Sequence, residues 1–275
     1  MNAHPLARTL FHAIKSDMGD TFRNAKAEIK IIFVGDTAED ACRSLALAPE
    51  DGTHLNVCFW DAPQADGPGI RLPLAEAGAI IRLRKPTDGG KGDLTAKLRP
   101  CDPATLPRRW RQNRSGKGWK FKIEEDWNGP DRVWSASLKV DGPFGQPVDE
   151  EGAASAAGPR LTPDQRDLLA VAGVLDDHLR GTVALGPVRA IKWKLSLQGL
   201  PHPLTAEFWR IGADGLHFLE LSLRARPADA PRAQNLLEHT VLARGLSSAP
   251  QQASKTRTVM AELARNHLRR CPRLP

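Results

Sequence analysis

Tyrosine is absent from the 275 residues, methionine occurs three times and cysteine four times. Cys42, Cys58, Cys101 and Cys271 are far apart and form no C-x-x-C pair. That spacing argues against a zinc site and a disulfide framework, and reads as four reduced thiols. No run approaches about 18 apolar residues, and the N-terminus lacks the basic, apolar and small-residue succession of a secretory leader. The expectation is a cytoplasmic protein with no membrane partner. The eight histidines show no metal-ligand spacing. Gly89-Gly90-Lys91-Gly92 and Ser115-Gly116-Lys117-Gly118 do not complete the G-x-x-x-x-G-K-[ST] phosphate loop, so both read as turns.

What is present is ordinary globular composition, 41% hydrophobic and 26% charged, with 39 Lys and Arg against 32 Asp and Glu and a net charge of +7. Such an excess favours anionic partners. The charge is also patterned. Lys26-Ala27-Glu28-Ile29-Lys30-Ile31-Ile32-Phe33 alternates charge with apolar bulk, which puts Lys26, Glu28 and Lys30 on one face of a strand. The alternation returns at Arg82 and Arg84, at Lys97 and Arg99, at Lys120, Lys122, Glu124 and Asp126, at Lys192 and Lys194, and at Glu220 and Arg224. A sheet with one wet side shows the same alternation. The excess of cations favours the other arrangement, because a solvated face mixes signs to gain cross-strand pairs. In that arrangement the strands roll up and the ionic faces line a cavity.

Along the chain, Asp36-Thr37-Ala38-Glu39 predicts a capped helix ending before Pro49, and strands are expected at 54–61, 80–85, 94–99, 119–127 and 132–140. The stretch 100–118 gathers Arg108, Arg109, Arg111, Arg114 and Lys117 around Trp110. It reads as a solvated connection or, alternatively, as a nucleic-acid patch over 108–120. A flexible connector is expected over 142–158, and Thr162-Pro163-Asp164-Gln165 predicts a helix to Arg180 stopped by Gly181. Strands at 188–197, 204–211 and 216–224 follow, then helices at about 233–244 and 256–268. Trp60, Trp119, Trp127, Trp193 and Trp209 fall in strands and suit packing outside a barrel.

Glu28-Ile29-Lys30, Ile81 to Lys85, Leu94 to Lys97, Lys122-Ile123-Glu124, Thr205 to Arg210 and Phe218 to Ser222 occur in an order that resembles the CYTH superfamily, the triphosphate tunnel metalloenzymes, over residues 26 to 225. The resemblance implies an α+β protein: an antiparallel β-barrel, or tunnel, of about eight strands with flanking helices. It implies a barrel domain over 1–230, with a helical insertion near 161–180, and C-terminal helices over 231–275 packing on it. Members include inorganic, thiamine and RNA triphosphatases and some adenylate cyclases. Carried over by position, Lys30, Arg82, Arg84, Lys97, Lys122, Lys192 and Lys194 become phosphate-binding candidates. Glu28 and Glu220 become ligands for Mg²⁺ or Mn²⁺, and Glu124 and Glu207 complete the metal shell or orient water. The implied function is metal-dependent hydrolysis of a triphosphate-containing small molecule. One departure is plain: Lys26 stands where the family's first strand has an acid. It favours the alternative of a polyphosphate or nucleotide binding module without turnover.

Overall fold

The structure, a computed structural model, describes residues 25–145, 147, 158–211, 215–247 and 254–270. The expected connector at 142–158 lies largely outside the described residues. In chain order the first elements are β1 (Lys26–Val34), α1 (Asp36–Ser44), β2 (Thr53–Asp61), the small hairpin β3 (Gln64–Asp66) and β4 (Gly69–Arg71), and the single-turn α2 (Pro73–Glu76). Then come β5 (Ala79–Pro86), β6 (Gly92–Leu98), β7 (Arg114–Gly116), β8 (Trp119–Asn128) and β9 (Asp131–Gly142). The remainder is α3 (Pro163–Ala170), α4 (Asp176–Arg180), β10 (Val183–Leu195), β11 (Leu204–Arg210), β12 (His217–Ala225), α5 (Ala230–Leu242) and α6 (Lys255–Arg270).

Nine strands close into a barrel in the order β1-β12-β11-β10-β2-β5-β6-β9-β8, with β8 returning to β1; β7 extends the outer edge of β8. Every pairing but the closing one is antiparallel. The β1–β8 seam is parallel, with Glu28 beside Asp126 and Lys26 beside Glu124. The expected antiparallel tunnel is therefore present, one strand larger than expected and mixed at its seam.

Alternation decides which side chains meet. The outward faces of β1, β10, β11 and β12 bury Ala27, Ile29, Trp193, Ala206 and Leu221 beneath α1 and α5. Those of β5, β6, β8 and β9 bury Ile81, Leu94, Ile123 and Leu138 beneath α3. Gln165 ties α3 to this wall: its Nε2 donates to the carbonyls of Leu94 (2.8 Å) and Leu138 (3.1 Å). Its backbone and side chain complete the capping box with Thr162.

A third cluster lies on the inward faces. Ile32, Val57, Phe59, Val188, Trp209 and Phe218 continue the ionic faces of their strands, and α6 sets Val259, Met260, Leu263 and Ala264 among them. So the barrel interior is ionic over part of its length and apolar over the rest, with the last helix filling the apolar end. This corrects the outer placement expected for Trp209. Of the two C-terminal helices, α5 packs outside and α6 inside the barrel end.

Three local expectations also change. Gly35, with φ of +61°, takes the N-cap of α1 without any side-chain cap, so the Asp36 box does not form. That helix stops at Ser44. The expected helix 163–180 is broken after Ala170, where Gly173 has φ of +74°, a conformation that costs a residue with a Cβ. Among the described residues no helix is long and apolar enough to cross a membrane.

Candidate functional site

Inside the barrel is a cavity of about 340 Å³ lined by eleven Lys and Arg side chains against four Glu. The structure brings ten of the eleven predicted residues to it: Glu28 and Lys30 from β1, Arg82 and Arg84 from β5, Lys97 from β6, Lys122 and Glu124 from β8, Lys192 from β10, Glu207 from β11 and Glu220 from β12. Lys194 is the exception. It is exposed, because it lies close to the end of β10. Lys26 is exposed too and does not line the cavity.

The carboxylates fall into two groups. At the seam, Asp126 is fully buried, accepts from Lys30 (3.0 Å) and Lys97 (3.1 Å), and stands in an ion pair 2.9 Å from Arg99 Nε, which among the described residues has no hydrogen-bond partner. Lys30 also reaches Glu28 at 2.8 Å. Arg224, from β12, donates through Nη2 to Glu28 and through Nε to Glu124 at 2.6 Å. Lys122 completes this group, 3.2 Å from Glu124. Farther along the barrel, Glu207 accepts from Lys192 (2.9 Å) and stands 3.5 Å from Arg84, whose Nε lies 3.2 Å from Asp93. Glu220 pairs with Lys255 at 3.2 Å.

These contacts set the charge states. Burial works against an ionised Glu28, but Lys30 and Arg224 outweigh it and hold the carboxyl well below the ordinary range. Glu207 behaves alike: burial opposes its charge, and Lys255, Lys192 and Arg84 prevail. Burial also opposes the charges of Lys30 and Arg224, and the facing carboxylates raise both above their ordinary values. Arg82 goes the other way. Burial, and then its neighbour Arg84, pull it down to about 10. Its Nε is shut off from solvent with no hydrogen-bond partner, and among the described residues it makes no ion pair.

The donor set does not fit the implied divalent metal. Glu28 and Glu220 do not come together: in the β1–β12 ladder Glu28 faces Arg224 while Glu220 faces Ile32, a stagger of roughly 13 Å along the strand. Among the described residues no group of three or more His, Cys, Asp or Glu side chains could hold a metal ion. The expected Glu28–Glu220 metal pair is thus not assembled, because the strand register separates its members.

Several lining residues were not singled out for a role from the sequence. Arg99, Lys120 and Arg224 obey the period-2 pattern and could have been chosen from it, as could Asp126, which is buried and does not itself line the cavity. Lys139 follows Ser135 and Ser137 at the same spacing on β9. Lys255 carried no such signal, since it opens a helix; it is 5% exposed, with its ammonium 4.4 Å from the Trp209 ring centre. In the basic stretch, Arg109 is bonded to Asp167 and Arg111 to the carbonyls of Ala104 and Leu106, so these two brace the loop.

The fold is shared with solved structures. A provisionally assigned adenylyl cyclase from Hippeastrum, described as having a dominant triphosphatase activity, superposes with a TM-score of 0.51 at 18% identity, covering 85% of this chain and 94% of that one. A provisionally assigned adenylate cyclase from Bacillus halodurans gives 0.50 at 12% identity, over 85% and 96%. No family model and no curated protein matches the chain.

Proposed function

We propose that the tunnel binds a triphosphate-bearing anion, inorganic or organic, and releases its terminal phosphate. The observation that carries the reading is Arg82: an enclosed guanidinium without an acidic partner is costly unless an anion arrives to pair with it. A triphosphate carries about four negative charges near neutral pH, and cations fixed in an enclosed site compensate them far better than exposed ones. Arg82, Arg84, Lys97, Lys122, Lys192 and Lys30 are assigned to the phosphate oxygens. Phosphoryl transfer places charge on the equatorial oxygens in the transition state, and preorganised cations lower that barrier without moving. Glu207 and Glu124 are assigned to orienting the attacking water. The Hippeastrum protein's described activity supports the reading by analogy of fold.

A second reading, binding without turnover, is favoured by the bonding of every lining carboxylate to a cation, which leaves none free for water until the anion draws those cations away. Calorimetry with tripolyphosphate and a phosphate-release assay, each with and without Mg²⁺ or Mn²⁺, separates the two. Binding with release supports the hydrolase, and tight binding without release supports the module. No binding of tripolyphosphate, ATP or thiamine triphosphate rejects both.

A further inference from the structure

The carboxylates at the seam are already served by cations of the chain itself. Glu28 and Glu124 stand on strands that meet only there, and the Arg224 guanidinium reaches between them, one nitrogen to each. A guanidinium so placed does geometrically what a bridging divalent cation does, fixing the separation of two carboxylates through directed bonds; it brings one positive charge, and Lys30 on Glu28 and Lys122 on Glu124 bring the rest. Lys30 spans Glu28 and Asp126 in the same manner. A hard cation such as Mg²⁺ needs oxygen ligands and loses its own water reluctantly. To enter here it would have to evict Lys30 from Glu28 and Asp126, stranding that charge in the cavity, and to break both bonds of Arg224, whose side chain is 41% exposed. The lining meanwhile carries seven more cations than carboxylates, sufficient to neutralise a bare triphosphate of about four charges.

Building on the triphosphate reading above, we propose that the tunnel takes its anion in the metal-free form, with Arg224 occupying the place of a divalent cation between Glu28 and Glu124. Magnesium then competes by sequestering the anion in solution, where a metal-requiring site would be helped by it.

The test uses the full chain and two probes. Tripolyphosphate titrated in EDTA should bind, and excess Mg²⁺ should weaken the apparent affinity in proportion to the anion it chelates, about tenfold when about nine-tenths of it is held by metal. Manganese alone, followed by electron paramagnetic resonance, should show no specific site in the wild type. Arg224→Gln should create one by freeing the Glu28 oxygen that Lys30 does not hold and by leaving Glu124 with Lys122 alone. Stoichiometric Mn²⁺ binding by the wild type, or a folded Arg224→Gln protein without a manganese site, overturns the proposal. Tripolyphosphate binding confined to the Mg²⁺ buffer overturns it alone, whereas absence of binding in both buffers removes the triphosphate reading as well.

Discussion

Glu207 and Glu220 face each other directly across the β11–β12 ladder, yet each leans on a different cation: Glu207 on Lys192, and Glu220 on Lys255 from the last helix. Two like charges directly opposite repel, so this pairing is tolerated only while both cations stay in place. Lys255→Met should cost about 3–5 kcal/mol, the usual penalty for stripping one partner from a buried ion pair. Glu220→Gln in the same chain should recover part of that loss. Urea unfolding of the two single variants and the double variant measures the coupling; strictly additive costs would show that the pair contributes nothing.

Arg82 should behave in the opposite sense. It has no ion-pair partner among the described residues and its buried Nε is unsatisfied, so Arg82→Gln should leave the melting temperature unchanged or raise it. The same change should weaken tripolyphosphate binding by about 10- to 100-fold, the equivalent of a hydrogen bond to a charged group. Stability gained while affinity is lost is the signature of a group held for a ligand. A drop in both would mark Arg82 as structural.

Lys192 and Lys194 provide an internal control, since one lines the cavity and the other is exposed. Lys194→Ala should change tripolyphosphate affinity less than about twofold, in keeping with a screened surface charge. Lys192→Ala should reduce it by about tenfold, one charge-assisted bond. Calorimetry at two ionic strengths checks both, with the Lys194 effect vanishing first as salt rises.

The pH dependence of stability follows from Glu207. Its folded carboxyl is held below its ordinary value near 4.5, so it contributes stability that is fully present above that value and is lost as pH falls toward the depressed folded value. Glu207→Gln should therefore melt at a lower temperature than wild type at pH 7, and the two melting temperatures should converge as pH drops below about 4.5. Calorimetric scans from pH 3 to 7 read the convergence. A constant offset would show that the loss comes from packing.

The ionic lining was legible because inward residues recur every second position, and period 2 is a property of a single strand. Glu28 and Lys30, Arg82 and Arg84, and Lys122 and Glu124 could be assigned to one face without knowing their neighbours. Depth along the barrel could not: Lys194 obeys the same alternation as Lys192 but lies toward the strand end. Register was equally hidden, since nothing in β1 or β12 alone says that Glu28 will face Arg224 and that Glu220 will lie far from it. The parallel seam was missed for the same reason. Thr162 and Gln165 announced their helix correctly because a capping box is local, whereas Gly35 displaced the Asp36 cap through a backbone angle that the side chains do not encode.

The seam joins Lys30 to Asp126, 96 positions later, and the other edge of β1 is covered only by β12. During synthesis the first strand thus waits with one edge open until His217–Ala225 leaves the ribosome, an interval in which unpaired edges invite association with other chains. The charges on Lys26, Glu28 and Lys30 keep that waiting edge soluble. Lys30, proposed as a ligand of the anion, therefore guards the nascent chain before any binding site exists.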